Sequence, residues 1–353
     1  MKTAQLSSER LAELVARFPA ARIAVLGDFF LDKYFEVDPV LAEISVETGK
    51  PAHQVVGVRH SPGAAGTVVN NFAALGCKGL VTLGFIGDDG DGFELKRDLD
   101  RLGCDTRHLI AVPGRMTPVY LKPWDISDLT LAGEHSRYDT RSRTPTPRDV
   151  EDRILAALDA VLPQIQAVAV MDQIEQVDCG CVTRRIREAV SDLARAYPEK
   201  IFWTDSRRFV RQFRNTIVKP NPFELLGIEN PAPGLQVDED ELLKAARKAR
   251  EVNGAPLVVT RGAKGLWVSD PEWTHVPAVP VFGPIDPTGA GDSATAGAVS
   301  ALCSAATLPE AGVIANLVAS ITIQQIGVTG TARPDQLEEA RRIWVANADH
   351  GQT

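Results

Sequence analysis

The feature that most constrains the fold is an alternation of short apolar runs with amphipathic stretches. The apolar runs have the length and composition of buried strands, and they lie at 22–26, 79–86, 167–171, 201–204, 216–218 and 256–260. Amphipathic patterns typical of helices separate them at 147–162, 181–196, 238–252 and 292–306. Strands that are apolar on both faces and alternate with helices predict an α/β fold, a mostly parallel sheet covered by helices on both sides.

Two segments, 33–60 and 113–138, depart from this rhythm because their polar and apolar residues alternate, as in Gln54–Arg59 and Pro118–Lys122. Such alternation is typical of half-exposed antiparallel strands. We therefore expect a small sheet that projects from the main domain. The predicted organisation is a helical extension over 1–21, one domain over 22–345 and a tail over 346–353.

Composition narrows the class of protein. The chain has 353 residues, a net charge of -8 and a pI near 5.4, which argues against a general nucleic-acid binder. No apolar run approaches the roughly 18 residues of a membrane span, and the N-terminus lacks the pattern of a signal peptide. The five cysteines are odd in number and scattered, which favours reduced thiols in a cytoplasmic protein.

The segment Asp286-Pro-Thr-Gly-Ala-Gly-Asp-Ser293, followed by a helix of small residues, carries the chemistry. Thr288 is the predicted helix cap, and Gly289 and Gly291 let the backbone approach a ligand closely. The free N–H groups and the helix dipole predict a phosphate site. Asp292, in the first turn, could accept a proton from an alcohol that attacks phosphorus. The alternative is a tight turn in which this carboxylate only complements the dipole.

Other nucleotide motifs fit poorly. Gly289-x-Gly291-x-x-Ala294 formally matches a dinucleotide fingerprint, but Pro284 and Pro287 interrupt the strand that should run into it. The chain contains no Walker A sequence.

The segment Asp286–Ser293 resembles the C-terminal signature of the ribokinase-like (PfkB) carbohydrate kinases. Further elements follow in that family's order: Gly27-Asp28 with Asp32, Pro62–Gly76, Gly84–Asp88, Lys219–Glu224, Thr260–Gly265 and Ala315-Asn316. Within the family, Ile44–Glu47 and Ser136–Asp139 resemble the subgroup that phosphorylates D-glycero-β-D-manno-heptose 7-phosphate at its anomeric hydroxyl.

This resemblance implies a three-layer α/β/α sandwich with a small β-sheet lid and phosphoryl transfer from ATP to a sugar or sugar phosphate. Because a small isolated sheet leaves exposed edges, we also expect a homodimer formed through that lid. It implies Asp292 as the base, with the four backbone N–H groups of Gly289, Ala290, Gly291 and Asp292 as the anion hole. The implied substrate-binding residues are Asp28, Asp32, Gly63, Ala64, Thr67, Lys122, Arg137 and Asp172. The implied ATP-binding residues are Asn221, Glu224, Thr260, Gly262, Gly265 and Asn316.

The resemblance also implies metal ions. Glu224 and Asn221 would hold Mg²⁺ through water, and Asp286 is a candidate for a monovalent cation such as K⁺. The alternative for the first two is a capping-box-like pair at a helix start.

Four basic residues are candidates for binding a phosphate on the acceptor, although the sequence does not show whether the acceptor carries one. Lys122, Arg137, Arg207 and Arg208 are the candidates, and the alternative for each is a solvated surface charge. Asp32, in turn, could instead cap a turn.

Departures from the family pattern fall mainly on the sugar side. They are Ala64 in place of a glycine, Thr67 in place of an asparagine, Met171–Gln176 in place of a Ser-Asp-Tyr strand end with Lys-Gly, and Ala294 in place of an aromatic residue. Phosphoryl transfer is therefore better predicted than the identity of the sugar. Two alternatives remain, a non-catalytic nucleotide or sugar sensor on this fold and a vitamin or nucleoside kinase with an aromatic acceptor pocket.

Overall fold

The computed structural model describes residues 1–128, 130–232, 234–270 and 272–350. The strands are β1 (Lys2–Thr3), β2 (Arg22–Gly27), β3 (Phe29–Ile44), β4 (Pro51–Ala64), β5 (Gly79–Gly87), β6 (Leu109–Val112), β7 (Val119–Asp125), β8 (Tyr138–Thr140), β9 (Ala167–Asp172), β10 (Ile201–Ser206), β11 (Ile217–Val218), β12 (Val258–Thr260), β13 (Leu266–Ser269) and β14 (Trp273–Val276). The helices are α1 (Ser8–Val15), α2 (Ala65–Ala74), α3 (Gly90–Arg101), α4 (Arg148–Val161), α5 (Arg184–Ala196), α6 (Pro222–Leu226), α7 (Glu239–Asn253), α8 (Ala290–Cys303), α9 (Leu308–Thr322) and α10 (Leu337–His350).

The central sheet consists of parallel strands in the order β11-β10-β9-β2-β5-β6. A parallel bridge between Val218 and Leu257 joins its β11 edge to a second group, β12-β13-β14-β1, in which β12, β13 and β14 are antiparallel. The mostly parallel sheet predicted from the apolar runs is confirmed.

Two apolar cores cover the two faces of this sheet. Every residue of β9 is buried, as expected for a strand that packs on both sides. Helices α1, α2, α3, α8, α9 and α10 contribute to one core, and α4, α5, α6 and α7 contribute to the other. The result is a three-layer α/β/α sandwich.

The small sheet, defined as β4-β3-β7-β8, projects from the central one. It is built from the two segments whose polar and apolar residues alternate, but β3 begins earlier than predicted and β4 ends later. Strands β3 and β4 are antiparallel, whereas β7 runs parallel to β3, with Asp32 opposite Tyr120. The expectation of antiparallel strands throughout is therefore wrong for this pair, because both strands leave the central domain in the same direction.

The N-terminal segment belongs to the same core as the rest of the chain. Strand β1 pairs with β14, and Leu11, Leu14 and Phe18 are buried in the core on the α8–α9 side. The predicted C-terminal tail begins inside α10, and its residues 351–353 lie outside the described part. Within the described residues, no helix combines the length and apolarity needed to cross a bilayer.

Candidate active site

The loop before α8 presents backbone donors to one point. Gly289 precedes the helix with φ +76°, and a Cβ there would lie 3.0 Å from Thr329 Cγ2, so glycine is required. Gly289, rather than the predicted Thr288, is the N-cap residue. The N–H groups of Gly289, Gly291 and Asp292 have no hydrogen-bond partner among the described residues. Free backbone donors at the start of a long helix are the features that favour a bound anion.

One of the predicted donors is already used. The N–H of Ala290 donates to the carbonyl oxygen of Pro287 at 3.1 Å, closing the turn that leads into α8. Of the four N–H groups predicted to form an anion hole, three have no hydrogen-bond partner among the described residues.

Asp292 lies half-buried in the first turn of α8 and lines a cavity of about 140 Å³. Burial, and then the nearby Asp205 carboxylate, raise the pKa of Asp292 to about 7, while Lys219 and Arg207 act against the rise. A carboxylate with a pKa near neutrality can both accept and release a proton at physiological pH, which is the property of a general base.

A buried ion pair lies next to this carboxylate. Lys219 Nζ and Asp205 Oδ2 are 2.7 Å apart, and both side chains are buried. A Cβ on Gly291 would lie 3.3 Å from Lys219 Nζ, so the ammonium group lies against the anion-hole backbone. This pair was not singled out from the sequence. Lys219 begins the Lys219–Glu224 motif, and Asp205 is the second-last residue of β10.

Asp32 forms the opposite wall of the cavity. Its Oδ2 accepts a hydrogen bond from Thr329 Oγ1 at 3.1 Å and lies 3.7 Å from Lys122 Nζ. Its Oδ1 is buried and has no partner among the described residues. Burial raises the pKa of Asp32, and the charge of Lys122 counteracts this. Asp32 lines the cavity, so its carboxylate belongs to the wall that a ligand hydroxyl would meet.

Basic side chains surround the same cavity. Lys122, Arg137 and Arg207 line it, and the guanidinium group of Arg137 lies 4.7 Å from the centre of the Tyr120 ring. Arg208 is not among the lining residues, because it pairs with Glu229 at 3.0 Å on another surface. The structure therefore brings together three of the four predicted phosphate candidates.

Residues 63, 64 and 67 shape the wall next to Asp32. A Cβ on Gly63 would lie 2.6 Å from Asp32 Oδ1, so a larger residue would displace the carboxylate. Ala64 adopts φ 52° and ψ -116°, a conformation that costs free energy for any residue with a Cβ. Thr67 and Ala64 both line the cavity.

Two predicted substrate residues do not reach the cavity. Asp28 is buried, and its carboxylate accepts the backbone N–H groups of Gln173, Ile174 and Cys181. Asp172 accepts a hydrogen bond from Ser206 Oγ at 2.6 Å. Burial, and then the charge of Asp28, raise the pKa of Asp172 to about 8. Both carboxylates are committed to interior contacts, which corrects the sequence-based expectation.

A second cavity, of about 530 Å³, lies on the other side of the loop before α8. Its lining residues include Asn221, Phe223, Thr260, Gly262 and Pro287. Its size suits a ligand such as a nucleotide. The cavity and the acid–base side chains thus lie on either side of the loop before α8.

Asn221 and Glu224 form a capping box at the start of α6. Asn221 Oδ1 accepts the N–H groups of Phe223 and Glu224, and Glu224 Oε2 accepts the N–H of Asn221 at 2.8 Å. Burial, and then Asp205, raise the pKa of Glu224 to about 7. The helix-start interpretation is therefore correct, and it leaves the second carboxylate oxygen of Glu224 for a water or an ion.

The described residues contain no cluster of three His, Cys, Asp or Glu side chains that could hold a metal ion alone. Mg²⁺ usually keeps several waters and uses substrate phosphates as ligands, so Glu224 beside an anion site fits such an ion. Asp286 is buried, and its oxygens accept the N–H groups of Thr288 and Gly327, which ties the loop before α8 to the segment after α9.

Two predicted ATP-side residues are structural. Gly265 has φ +75°, and a Cβ there would lie 2.0 Å from the carbonyl oxygen of Val276, so it is needed for the turn. Asn316 Nδ2 donates to the carbonyl oxygens of Val276 and Pro277, and its side chain is not among those lining the 530 Å³ cavity. It holds the chain after β14, and its predicted contact with ATP stays a prediction.

The chain is similar in sequence to a known protein family and to several known proteins. Residues 204–335 match the pfkB family carbohydrate kinase profile. The chain is 31% identical over 356 residues to bifunctional protein HldE of Caulobacter sp. strain K31, and 28% identical over 345 residues to the protein of that name in Hyphomonas neptunium. These alignments cover 97% and 95% of the chain. The chain spans 66% of the length of each relative, just under two thirds.

Solved structures share the fold. A putative sugar kinase from Clostridium perfringens matches with a TM-score of 0.67 at 17% identity, covering 91% of this chain and 96% of that one. Phosphofructokinase-2 from Escherichia coli, in complex with potassium, matches with a TM-score of 0.67 at 18% identity, covering 92% and 98%. Arabidopsis thaliana ribokinase, complexed with ribose and ATP, matches with a TM-score of 0.61 at 17% identity, covering 92% and 98%.

Proposed function

Since the chain carries a PfkB carbohydrate kinase domain, we propose that it is an ATP-dependent kinase that phosphorylates a hydroxyl group of a sugar or sugar phosphate. The observation that carries the proposal is the position of Asp292. This carboxylate lies in the first turn of α8, beside three free N–H groups, and lines the same cavity as Asp32.

In this proposal Asp292 is the general base. The acceptor hydroxyl lies in the 140 Å³ cavity, and a neighbouring hydroxyl of the same sugar donates to the Asp32 carboxylate. The oxygen of the attacking hydroxyl bonds to the terminal phosphorus of ATP, and Asp292 takes the proton that this hydroxyl loses. The bond between that phosphorus and the bridging oxygen breaks, and ADP leaves with its electron pair.

The N–H groups of Gly289, Gly291 and Asp292 stabilise the charge on the transferring phosphoryl group. Lys219 adds a buried positive charge behind this backbone, held in place by Asp205. ATP occupies the 530 Å³ cavity, with its phosphates directed towards the start of α8. Mg²⁺, held by waters on Glu224 and Asn221, would neutralise phosphate charge, and Asp286 remains the candidate for a monovalent cation.

The acceptor that fits best already carries a phosphate. Lys122, Arg137 and Arg207 line a cavity that also contains the acidic Asp32 and Asp292, so the site combines hydroxyl-binding carboxylates with anion-binding cations. A heptose 7-phosphate has both groups, and residues 44–47 and 136–139 resemble kinases for that substrate.

The remaining features of the proposal concern assembly. The small sheet would act as a lid that excludes water from the reaction. Its strands β3 and β4 expose Val40, Ile44, Val55, Val56 and Val58, which would pair with a second subunit in a homodimer. We place the enzyme in the cytoplasm.

A screen for ATP consumption tests the function. The purified chain is incubated with MgATP and a panel of free sugars, sugar phosphates, nucleosides and vitamins, and ADP release is measured alongside the D292N variant. We expect turnover with a phosphorylated sugar, D-glycero-β-D-manno-heptose 7-phosphate included, and its loss in the variant.

Turnover of only nucleosides or vitamins would reassign the acceptor. Binding of ATP and a sugar without turnover, measured by calorimetry, would favour the sensor alternative that the residues at 64 and 67 allow.

A further inference from the structure

The chain segment that follows α9, residues 323–331, lies between the small sheet and the loop before α8. Towards that loop, the carbonyl oxygen of Ile323 accepts the N–H of Asp286 at 2.7 Å, and the N–H of Gly327 donates to Asp286 Oδ2 at 3.3 Å. Towards the small sheet, a Cβ on Gly327 would lie 3.2 Å from Cη2 of Trp124, a residue of β7. The segment therefore contacts both structures that carry the proposed site.

Hydrogen bonds close this segment on itself. Gln325 Oε1 accepts the N–H of Thr331 at 3.2 Å, and Gln325 Nε2 donates to the carbonyl oxygen of the same residue at 2.7 Å. Outside the closed loop, Asn71 Nδ2 on α2 donates to the carbonyl oxygen of Gly330 at 3.4 Å. The residues between 325 and 331 are thus held at both ends, and the segment is anchored to a helix of the core.

Thr329, in the middle of this segment, contacts one group on each side. It is 9% exposed and lines the 140 Å³ cavity. Its Oγ1 donates a hydrogen bond to Asp32 Oδ2 at 3.1 Å. Its methyl carbon Cγ2 lies 3.0 Å from the position that a Cβ on Gly289 would take. A single side chain thus joins the acceptor wall of the cavity to the backbone at the start of α8.

Each contact restricts a group that would otherwise have conformational freedom. The terminal torsion of an aspartate is soft, so a hydrogen bond to one oxygen helps to fix the plane of the Asp32 carboxylate. The other cation near that oxygen, Lys122 Nζ, is farther away at 3.7 Å. Gly289 has no side chain and adopts φ +76°, so its backbone gains order from a methyl group packed beside it.

On the basis of the proposed kinase activity, we propose that Thr329 is a positioning residue for phosphoryl transfer. Its hydroxyl group orients Asp32 towards the acceptor, and its methyl group holds Gly289, whose N–H faces the transferring phosphoryl group. The first contact acts on binding of the acceptor and the second acts on the rate of transfer. The two halves of the side chain should therefore have different kinetic effects.

Two substitutions separate these halves. Thr329→Val keeps a methyl group beside Gly289 and removes the hydroxyl group, whereas Thr329→Ser does the reverse. The assay measures ADP release at saturating MgATP, with D-glycero-β-D-manno-heptose 7-phosphate as the varied acceptor. We expect Thr329→Val to raise the acceptor KM about tenfold and to change kcat less than about twofold. We expect Thr329→Ser to leave this KM within about twofold and to lower kcat about threefold.

Thr331→Val is the matched control, because it makes the same chemical change in the same segment. The Thr331 side chain forms no hydrogen bond in the described part of the chain, and it does not line the 140 Å³ cavity. This variant should keep the native KM and kcat. Circular dichroism and the melting temperature report whether each variant is folded.

A native acceptor KM in folded Thr329→Val, or a KM raised equally in Thr329→Val and Thr329→Ser, would overturn the positioning role while the native turnover still supports the proposed function. Absence of native turnover with every sugar phosphate would overturn the proposed function and the role of Thr329 with it. If Thr329→Val does not fold, Thr329→Ala and Thr329→Ser are compared, since only the second keeps the hydroxyl group. An equal acceptor KM in that pair refutes the proposal.

Discussion

Replacing the carboxylate of Asp292 with an amide should abolish phosphoryl transfer while preserving ATP binding. Asn has the same shape as Asp, and neither oxygen of Asp292 is needed for an internal hydrogen bond within the described residues. The free N–H groups that would bind phosphate belong to the backbone, so Asp292→Asn leaves the anion hole intact. Only the proton acceptor is lost.

The magnitude follows from the role and from the ionisation of this group. Removal of a general base typically costs 10²–10⁴-fold, so we expect kcat to fall by about 10³-fold, equivalent to roughly 4 kcal/mol. Burial and Asp205 raise the pKa of Asp292 to about 7. In the native enzyme the base is therefore about 10% ionised at pH 6 and about 1% at pH 5. The activity should fall about fivefold from pH 7 to pH 6 and nearly tenfold from pH 6 to pH 5.

The assay is ADP release across pH 5–9 at saturating MgATP, with ATP affinity measured separately by calorimetry. Asp335→Asn is a suitable control, because Asp335 is exposed and pairs only with Arg333 on the surface. The residual activity of Asp292→Asn should be independent of pH over the range in which the native activity changes. Full activity in this variant, or a native profile that stays flat down to pH 5, would refute the assignment of Asp292 as the base.

Three further predictions test the surroundings of the site. Lys219→Met removes the charge that lowers the pKa of Asp292, so the midpoint of the pH–activity profile should move to higher pH. Lys219→Arg keeps the charge and should leave the midpoint near pH 7. An unchanged midpoint in Lys219→Met would contradict the electrostatic role of Lys219. Ala64→Gly should stabilise the protein by about 1 kcal/mol in urea unfolding, since the strain at φ 52° costs about 1–3 kcal/mol and a glycine costs about 0.5–1 kcal/mol in entropy. The pKa of Asp172 is raised to about 8, so its carboxyl group keeps a proton in the folded state that the unfolded chain has lost. The free energy of unfolding should therefore fall as pH rises from about 4 to 8, by up to about 1.4 kcal/mol per pH unit. Asp172→Asn should flatten this dependence, and an equally steep slope in the variant would contradict the prediction.

The sequence predicts the layers of the fold well because they depend on local patterns. The run from 167 to 171 is apolar at every position, and such a run has few alternatives to a strand buried on both faces. The direction of β7 could not be predicted in this way. Alternation of polar and apolar residues shows which face of a strand is buried, but not whether its neighbour runs parallel or antiparallel.

The candidate site was predictable where a motif is contiguous and less so where contacts join distant segments. The loop before α8 could be identified because its glycines and Asp292 are adjacent in the chain. Asp28 appeared equivalent to Asp32, but its role depends on the loop 173–181, whose N–H groups reach it only in the folded protein. Lys219 and Asp205 were missed for the same reason, since they approach each other from neighbouring strands.

The two halves of the reaction are attached to different bodies of the molecule. Asp32 and Lys122 belong to strands of the small sheet, whereas Asp292 and its neighbouring N–H groups belong to a helix packed in the core. Any tilt of that sheet about the point where β3 leaves the central domain alters the gap between nucleophile and phosphorus. Substitutions at the ends of β3 and β4 farthest from the central domain would thus change turnover by changing the tilt of the small sheet. Such substitutions would leave every reacting group chemically unchanged.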